Sequence, residues 1–187
     1  YGFTQNTAIS PDGRFITWEG YGNDFVADDT NGVSTYDVFV FDRSTQTTTL
    51  ASRNSAGAVG NANSFQPSIS ADGRFVAFQS TATNLVAGDT NGSSDVFLRD
   101  LSTGVTTLVS QGLSGSSSDG DSLFAVVSRD SCFVLFKSVA TNLVGKLGQA
   151  GVRASAALRN ETLNYRVRAA ETQKVPYVLV VGEREQE

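Results

Sequence analysis

Leu85-Val86-Ala87-Gly88-Asp89-Thr90-Asn91-Gly92-Ser93-Ser94-Asp95-Val96-Phe97-Leu98-Arg99-Asp100 decides how the chain is read, because most of it has occurred once before. Phe25-Val26-Ala27-Asp28-Asp29-Thr30-Asn31-Gly32 is followed, after a turn two residues longer, by Asp37-Val38-Phe39-Val40-Phe41-Asp42. A later copy opens at Thr141-Asn142-Leu143-Val144 and stops. The spacing holds upstream too. Ser10-Pro11-Asp12-Gly13-Arg14-Phe15-Ile16-Thr17-Trp18 returns as Ser70-Ala71-Asp72-Gly73-Arg74-Phe75-Val76-Ala77-Phe78 and, worn, as Ser128-Arg129-Asp130-Ser131-Cys132-Phe133-Val134-Leu135-Phe136. The intervals are 60 residues (10 to 70) and 58 residues (70 to 128), a near-constant period that marks a repeat architecture.

Each copy reads as four strands. Asp-Gly predicts a tight turn, since Gly accepts positive φ, joining a short strand at 67–70 to an apolar one at 74–80. Beyond the Asp-Thr-Asn-Gly loop a third strand is expected at 95–99, then a turn at Ser102-Thr103-Gly104 and a Thr- and Val-rich fourth strand at 105–110. The earlier copy places its turn at Ser44-Thr45-Gln46 and its fourth strand at 47–52. Connectors 54–64 and 112–122, rich in Gly, Ser, Asn and Ala, suit surface crossings between successive sheets. Four antiparallel strands per unit with polar connectors is the pattern of β-propeller blades. The expected fold is therefore mainly β, with about two and a half four-stranded antiparallel β-propeller blades over residues 1–144, the third copy truncated, and a short βαβ tail over 145–187. Closed propellers take about four to eight blades. The chain is thus expected to be a fragment, to complete a ring with copies of itself, or to cover an open edge with its tail.

The pattern Ser70-x-Asp72-Gly73-Arg74-Phe75-Val76-Ala77-Phe78, with Asp95-Val96-Phe97-Leu98-Arg99-Asp100 and Thr103-Gly104 downstream, resembles the WD-like propeller repeats of the periplasmic Tol-Pal family. It is closer still to their long-period secreted bacterial relatives, which carry Asn-Leu-Val-x-Gly-Asp-Thr-Asn-Gly. The resemblance implies a periplasmic or secreted module that binds or scaffolds, with a protein or glycan as ligand.

Composition narrows the chemistry. The net charge is -5, but residues 1–144 hold 7 Lys+Arg against 14 Asp+Glu, whereas 145–187 hold 7 against 5. The acidity of the first part argues against nucleic acid as its partner. There is no His, which removes Ser-His-Asp and Cys-His pairs and the imidazole ligand of zinc. Cys132 is the lone cysteine, so no intrachain disulfide forms, and it stands where other copies have Arg14 and Arg74, a drifted repeat position rather than a reactive thiol. A carboxylate hydrolase using Asp119 and Asp121 is the weakest reading, because they sit in a Gly-Ser connector. The expectation is a protein that is not an enzyme. No run of about 18 apolar residues occurs, so no membrane span is expected. The first residues lack a secretory pattern, and a start at Tyr1 suggests a mature or excised piece.

One loop has the spacing of a metal site. Asp89, Asn91, Ser93 and Asp95 fall at positions 1, 3, 5 and 7, as in an EF-hand loop that offers oxygens to calcium. The usual Gly at position 6 is Ser94, and no closing Glu follows. The earlier copy keeps Asp29 and Asn31, with Asp37 two residues further on. Calcium as a structural ligand stands against the plainer reading in which Asp and Asn bond their own backbone to shape the turn.

The tail follows a different pattern. Residues 152–158 can form a strand, Asn160 can cap a helix with Leu163, Val167 and Ala170 on one face, and Pro176 ends it. Tyr177-Val178-Leu179-Val180-Val181-Gly182 is a continuous apolar run, as in a buried parallel strand. Leu158-Arg159-Asn160-Glu161, Tyr165-Arg166-Val167-Arg168 and Gln173-Lys174-Val175-Pro176-Tyr177-Val178-Leu179-Val180-Val181-Gly182-Glu183-Arg184-Glu185 resemble part of the anticodon-binding domain of bacterial threonyl-tRNA synthetase. That resemblance implies tRNA as an alternative partner and a cytoplasmic address. It places Asn160 and Glu185 on an anticodon-reading surface, with Arg168 as helper. The alternative function is thus an RNA-binding remnant fused to propeller repeats.

Overall fold

The Asp-Gly turn is built the same way three times. Ser10 Oγ donates to Asp12 Oδ1 at 2.6 Å, the same oxygen accepts the Arg14 N–H at 3.0 Å, and the Phe15 N–H donates to Ser10 Oγ at 2.9 Å. Ser70, Asp72, Arg74 and Phe75 repeat the set at 2.6, 3.0 and 2.9 Å, and Ser128, Asp130, Cys132 and Phe133 at 2.6, 3.1 and 2.8 Å. Position four of the turn is left-handed, with φ +71° at Gly13 and Gly73 and +61° at Ser131. Gly73 is required for a second reason: a Cβ there would run into the Phe15 ring of the preceding copy.

The computed structural model describes residues 3–22, 24–112 and 115–140, and the backbone of 177–181. Strands β1 (Phe3–Ile9), β2 (Phe15–Tyr21), β3 (Tyr36–Asp42) and β4 (Thr47–Leu50) form an antiparallel sheet in sequence order. Strands β5 (Ser64–Ile69), β6 (Phe75–Ser80), β7 (Asp95–Asp100) and β8 (Val105–Leu108) form a second sheet of the same topology. The third sheet has β9 (Ser122–Val127) and β10 (Phe133–Ser138) as its hairpin. The chain is mainly β, and no helix occurs among the described residues. The strand expected at 152–158 and the helix after Asn160 lie outside the described residues. The first strand of the second copy, expected at 67–70, runs from Ser64 to Ile69, because pairing resumes at Phe65 and Ser64 on the far side of a bulge at Gln66 and Pro67.

That bulge is the joint between sheets. Asn6, Gln66 and Phe124 have φ of +47°, +50° and +58°, at matching positions where the register of the first hairpin slips. A bulge turns one N–H away from its own ladder. The Gln66 N–H is received by Glu19 Oε2 of the first sheet, and the Phe124 N–H by Gln79 Oε1 of the second at 2.9 Å. Glu19 is buried and its other oxygen takes Gln5 Nε2 and Asn6 Nδ2 at 2.9 and 2.8 Å.

Side-chain alternation then fills both faces of the middle sheet. Val76, Phe78 and Phe97 pack with Val38, Val40 and Ala51 in one core, whereas Ala77, Val96 and Leu98 pack with Ala125, Val127, Val134 and Phe136 in the next. Strand β11 (Tyr177–Val181) pairs in parallel with β10, from Phe133↔Tyr177 to Lys137↔Val181. It lies on the side of β10 where β6 receives β7, but runs the other way.

Candidate functional site

The Asp-Thr-Asn-Gly loop ties each sheet to the connector that follows. Asn31 Nδ2 donates to Asp37 Oδ2 and to the Gly60 carbonyl, both at 2.8 Å. Asn91 Nδ2 does the same to Asp95 Oδ2 at 2.8 Å and the Ser118 carbonyl at 2.7 Å. The remaining oxygen of Asp37 accepts Ser52 Oγ at 2.6 Å, and that of Asp95 accepts Ser110 Oγ at 2.5 Å and Ser118 Oγ at 3.4 Å. Asn91 Oδ1 accepts the Ser93 N–H at 2.8 Å, so this loop closes on its own backbone.

The first Asp of each loop is served differently. Both carboxylate oxygens of Asp29, 3% exposed, and Oδ1 of Asp89, 6% exposed, are buried without a hydrogen-bond partner, as is Asn31 Oδ1. Burial pushes the Asp89 carboxyl up to about 6, helped by the charge of Asp95. Burial likewise raises Asp37 to about 6, against the hydrogen bonds of Ser52 and Asn31 and together with the charge of Asp29. Asp29 and Asp95 are shifted upward by burial as well. No group of three or more Asp, Glu, His or Cys side chains gathers in metal-binding geometry among the described residues. What gathers instead is an Asp pair with an Asn, twice.

Cys132 is exposed, its thiol 3.4 Å from the Asp130 carbonyl. It stands at the position where Arg14 pairs with Asp42 at 2.8 Å and Arg74 with Asp100 at 2.7 Å. Asn160, Arg168 and Glu185 lie outside the described residues.

Sequence reading missed a cleft of about 770 Å³ between the first sheet and the connector to the second. Phe25, Thr48, Thr49, Arg53 and Arg99 line it. Its signal was present as a departure from the repeat: Arg99 stands where the earlier copy has Phe41, and Arg53 where the later one has Gln111.

Residues 125–187 match the anticodon binding domain family. The match covers under half of the chain, begins within β9 and takes in the parallel pair of β10 and β11. The chain is similar to threonine--tRNA ligase of Novosphingobium aromaticivorans, 56% identical over 48 residues, which are 26% of this chain and 7% of that protein. The same enzyme of Thermus thermophilus is 59% identical over 46 residues, 25% of this chain and 7% of the relative. The chain thus spans about 7% of the length of these curated relatives. The likeness of its C-terminal part to an anticodon-binding domain, read from Leu158 to Glu185, stands. Among solved structures, a protein described as TolB from Agrobacterium tumefaciens has a TM-score of 0.46 at 16% identity, over 75% of this chain and 39% of that one. TolB from Acinetobacter baumannii has a TM-score of 0.43 at 16% identity, over 74% and 29%.

Proposed function

We propose that the chain is a non-enzymatic binding or scaffolding module of β-propeller type, about two and a half blades long, whose β11 completes part of the third blade. One observation carries this: the joint between sheets one and two is repeated between sheets two and three, position for position, at the bulge and at the Asn latch. A rule that adds one sheet to the last can add another. Phe124, Val126 and Leu135 stand exposed on the outer face of β9 and β10, where a further sheet would pack. The next sheet comes from a second copy of the chain, in the periplasm or outside the cell. Light scattering then gives a closed assembly of about two or three chains, and a stable monomer overturns self-completion.

Calcium is part of the same reading. Orphaned oxygens on Asp29, Asn31 and Asp89 are of the kind a hard cation takes, and the carboxylate pairs are short of counter-charge. Asp29, Asn31 and Asp37 would hold it in one loop, and Asp89, Asn91, Ser93 and Asp95 in the other. Bound calcium supplies charge neutralisation there. Melting measured in chelator and in millimolar calcium tests it, and an unchanged midpoint rules calcium out.

A second reading is favoured by the family match at 125–187. The tail would then bind tRNA through Asn160, Arg168 and Glu185. Salt-sensitive binding lost in Asn160→Ala or Glu185→Ala supports it, and no binding at low salt removes it.

A further inference from the structure

Each complete sheet seats its third strand in the same slot beside the second. Strand β3 runs antiparallel to β2 over seven paired positions, from Phe15↔Asp42 to Tyr21↔Tyr36, and β7 does so to β6 over six, from Phe75↔Asp100 to Ser80↔Asp95. In both, a ring on the third strand stacks on a ring of the second: Phe39 on Trp18 at 5.7 Å and Phe97 on Phe78 at 5.9 Å. The bond at the end of the ladder recurs as well. The Arg43 N–H donates to the Arg14 carbonyl at 3.0 Å, and the Leu101 N–H to the Arg74 carbonyl at 2.8 Å.

In the third sheet that slot is filled differently. Strand β11 lies beside β10 in parallel over five positions, from Phe133↔Tyr177 to Lys137↔Val181, and leaves Ser138 outside the ladder. Parallel pairing is the weaker kind per residue. Phe136, buried at the position of Phe78, has no ring stacked on it among the described residues, and Leu135, at the position where Ala77 sits beside Leu98, is 40% exposed. The hairpin of β7 and β8 shows what an antiparallel neighbour brings with it. Asp95 Oδ1 is served from within the hairpin by Ser110 Oγ at 2.5 Å, and Asp100 Oδ1 by the Ser102 N–H at 2.9 Å. From β6 and its turn the hairpin takes the ladder, the ring stack and the pairing of Arg74 with Asp100. β10 offers all but the last, since Cys132 stands in the place of Arg74.

We propose that the edge of β10 is a docking site for a β-hairpin of this same repeat, supplied in trans, which enters antiparallel in place of β11. The Phe97 position of such a hairpin stacks on Phe136, and its Leu98 position covers Leu135. β11 is then a removable plug. It is tethered through 36 residues (141 to 176), so it competes at an effective concentration on the order of millimolar, against which the incoming hairpin gains the antiparallel ladder and the ring stack. The proposal rests on the propeller-module reading and names the partner of its third sheet. The two fail separately: solution mass judges self-completion, and strand capture judges the slot.

The test uses Cys132 as a reporter, because it is exposed and precedes Phe133 at one end of the slot. Two synthetic peptides of residues 94–110, one with Leu101→Cys and one with Ser94→Cys, carry their thiol as a pyridyl disulfide. Attack by the Cys132 thiolate joins peptide to protein and releases pyridinethione, so no outside oxidant is needed. An antiparallel hairpin places position 101 at Cys132, as Leu101 is placed at Arg74, whereas a parallel one in the register of β11 places position 94 there. By intact mass of the full chain, the Leu101→Cys peptide should couple roughly tenfold faster than the Ser94→Cys peptide. Phe97→Ala within the Leu101→Cys peptide should slow coupling several-fold, with the protein unchanged. Leu179→Pro with Val180→Pro in the chain removes two successive N–H groups, one of them aimed at β10, and should speed the Leu101→Cys peptide alone several-fold by loosening β11. Equal rates for the two peptides, faster coupling at position 94, or indifference to Phe97→Ala overturns the proposal. So does a proline pair that leaves the rate unchanged or speeds both peptides alike.

Discussion

Asp37→Asn should make the protein more stable near neutral pH, although it removes a side chain that accepts two hydrogen bonds. Asp37 is fully buried, with its carboxyl at about 6 instead of 3.8 because burial outweighs the donors Ser52 and Asn31. A carboxyl with a raised value in the folded state binds its proton more tightly there than in the unfolded chain. Its stabilising contribution is therefore complete below about pH 4 and lost as pH rises through about 6. A difference between 3.8 and about 6 corresponds to at most about 3 kcal/mol by pH 7.5. Asp89, Asp29 and Asp95 move the same way, whereas Asp42 and Asp100, held well below the usual range by Arg14 and Arg74, weaken the fold only below about pH 4. Urea unfolding in chelator should thus show stability falling from about pH 4.5 to about 7.5. Asn is nearly isosteric with the protonated acid, so the variant should match the parent at the acidic end and exceed it at the upper end, by up to about 3 kcal/mol. Parallel pH profiles for parent and variant, or a variant weaker throughout, would refute the reasoning and mean that the carboxylate is held comfortably ionised.

Other perturbations probe the joints. Asn91→Ala leaves Asp95 and the Ser118 carbonyl each short of a donor and should cost about 2 kcal/mol in denaturant unfolding. Phe97→Ala empties a fully buried ring site between the first two sheets and should cost about 3 to 5 kcal/mol. Removing residues 141–187 uncovers the edge of β10, so hydrogen exchange should lose protection in β9 and β10 while β2, β3, β6 and β7 keep theirs.

The strands were legible because each local signal agreed with the period. Asp-Gly and Thr-Gly turns, the Val- and Phe-rich runs of β3 and β7, and polar connectors all pointed to the same sheets. The bulges at Asn6, Gln66 and Phe124 were not legible. At Gln66 and Phe124 the positive φ turns the N–H toward Glu19 and Gln79 of the sheet before, Asn6 adopts it within its own hairpin, and three unlike side chains carry no common mark. The Asp-Thr-Asn-Gly loop was found for its spacing, which describes oxygens along a chain. Its main partners, Gly60 and Ser118, lie in connectors far along the sequence, and spacing says nothing of them.

Repetition itself separates the joints every copy needs from the contacts peculiar to one copy. Ser10, Asp12 and Phe15, or Asp37 and Ser52, recur because each copy needs the same turn and the same latch, and a change there breaks a joint. Glu19 and Gln79 differ in charge yet do one task, since a bulge N–H accepts either oxygen as partner. Arg99 and Phe41 do not share a task. At that position the backbone is the same third strand, paired to the second strand through Val76 in one copy and Ile16 in the other, so the ladder has no use for either side chain. A guanidinium there donates from Nη1 to the carbonyls of Asn54 and Gly104 and to Thr106 Oγ1, so it ties its strand to the connector that precedes the second sheet. The position the ladder leaves free is thus used in the second copy to brace the connector between two sheets, a task that the first copy does not give to Phe41.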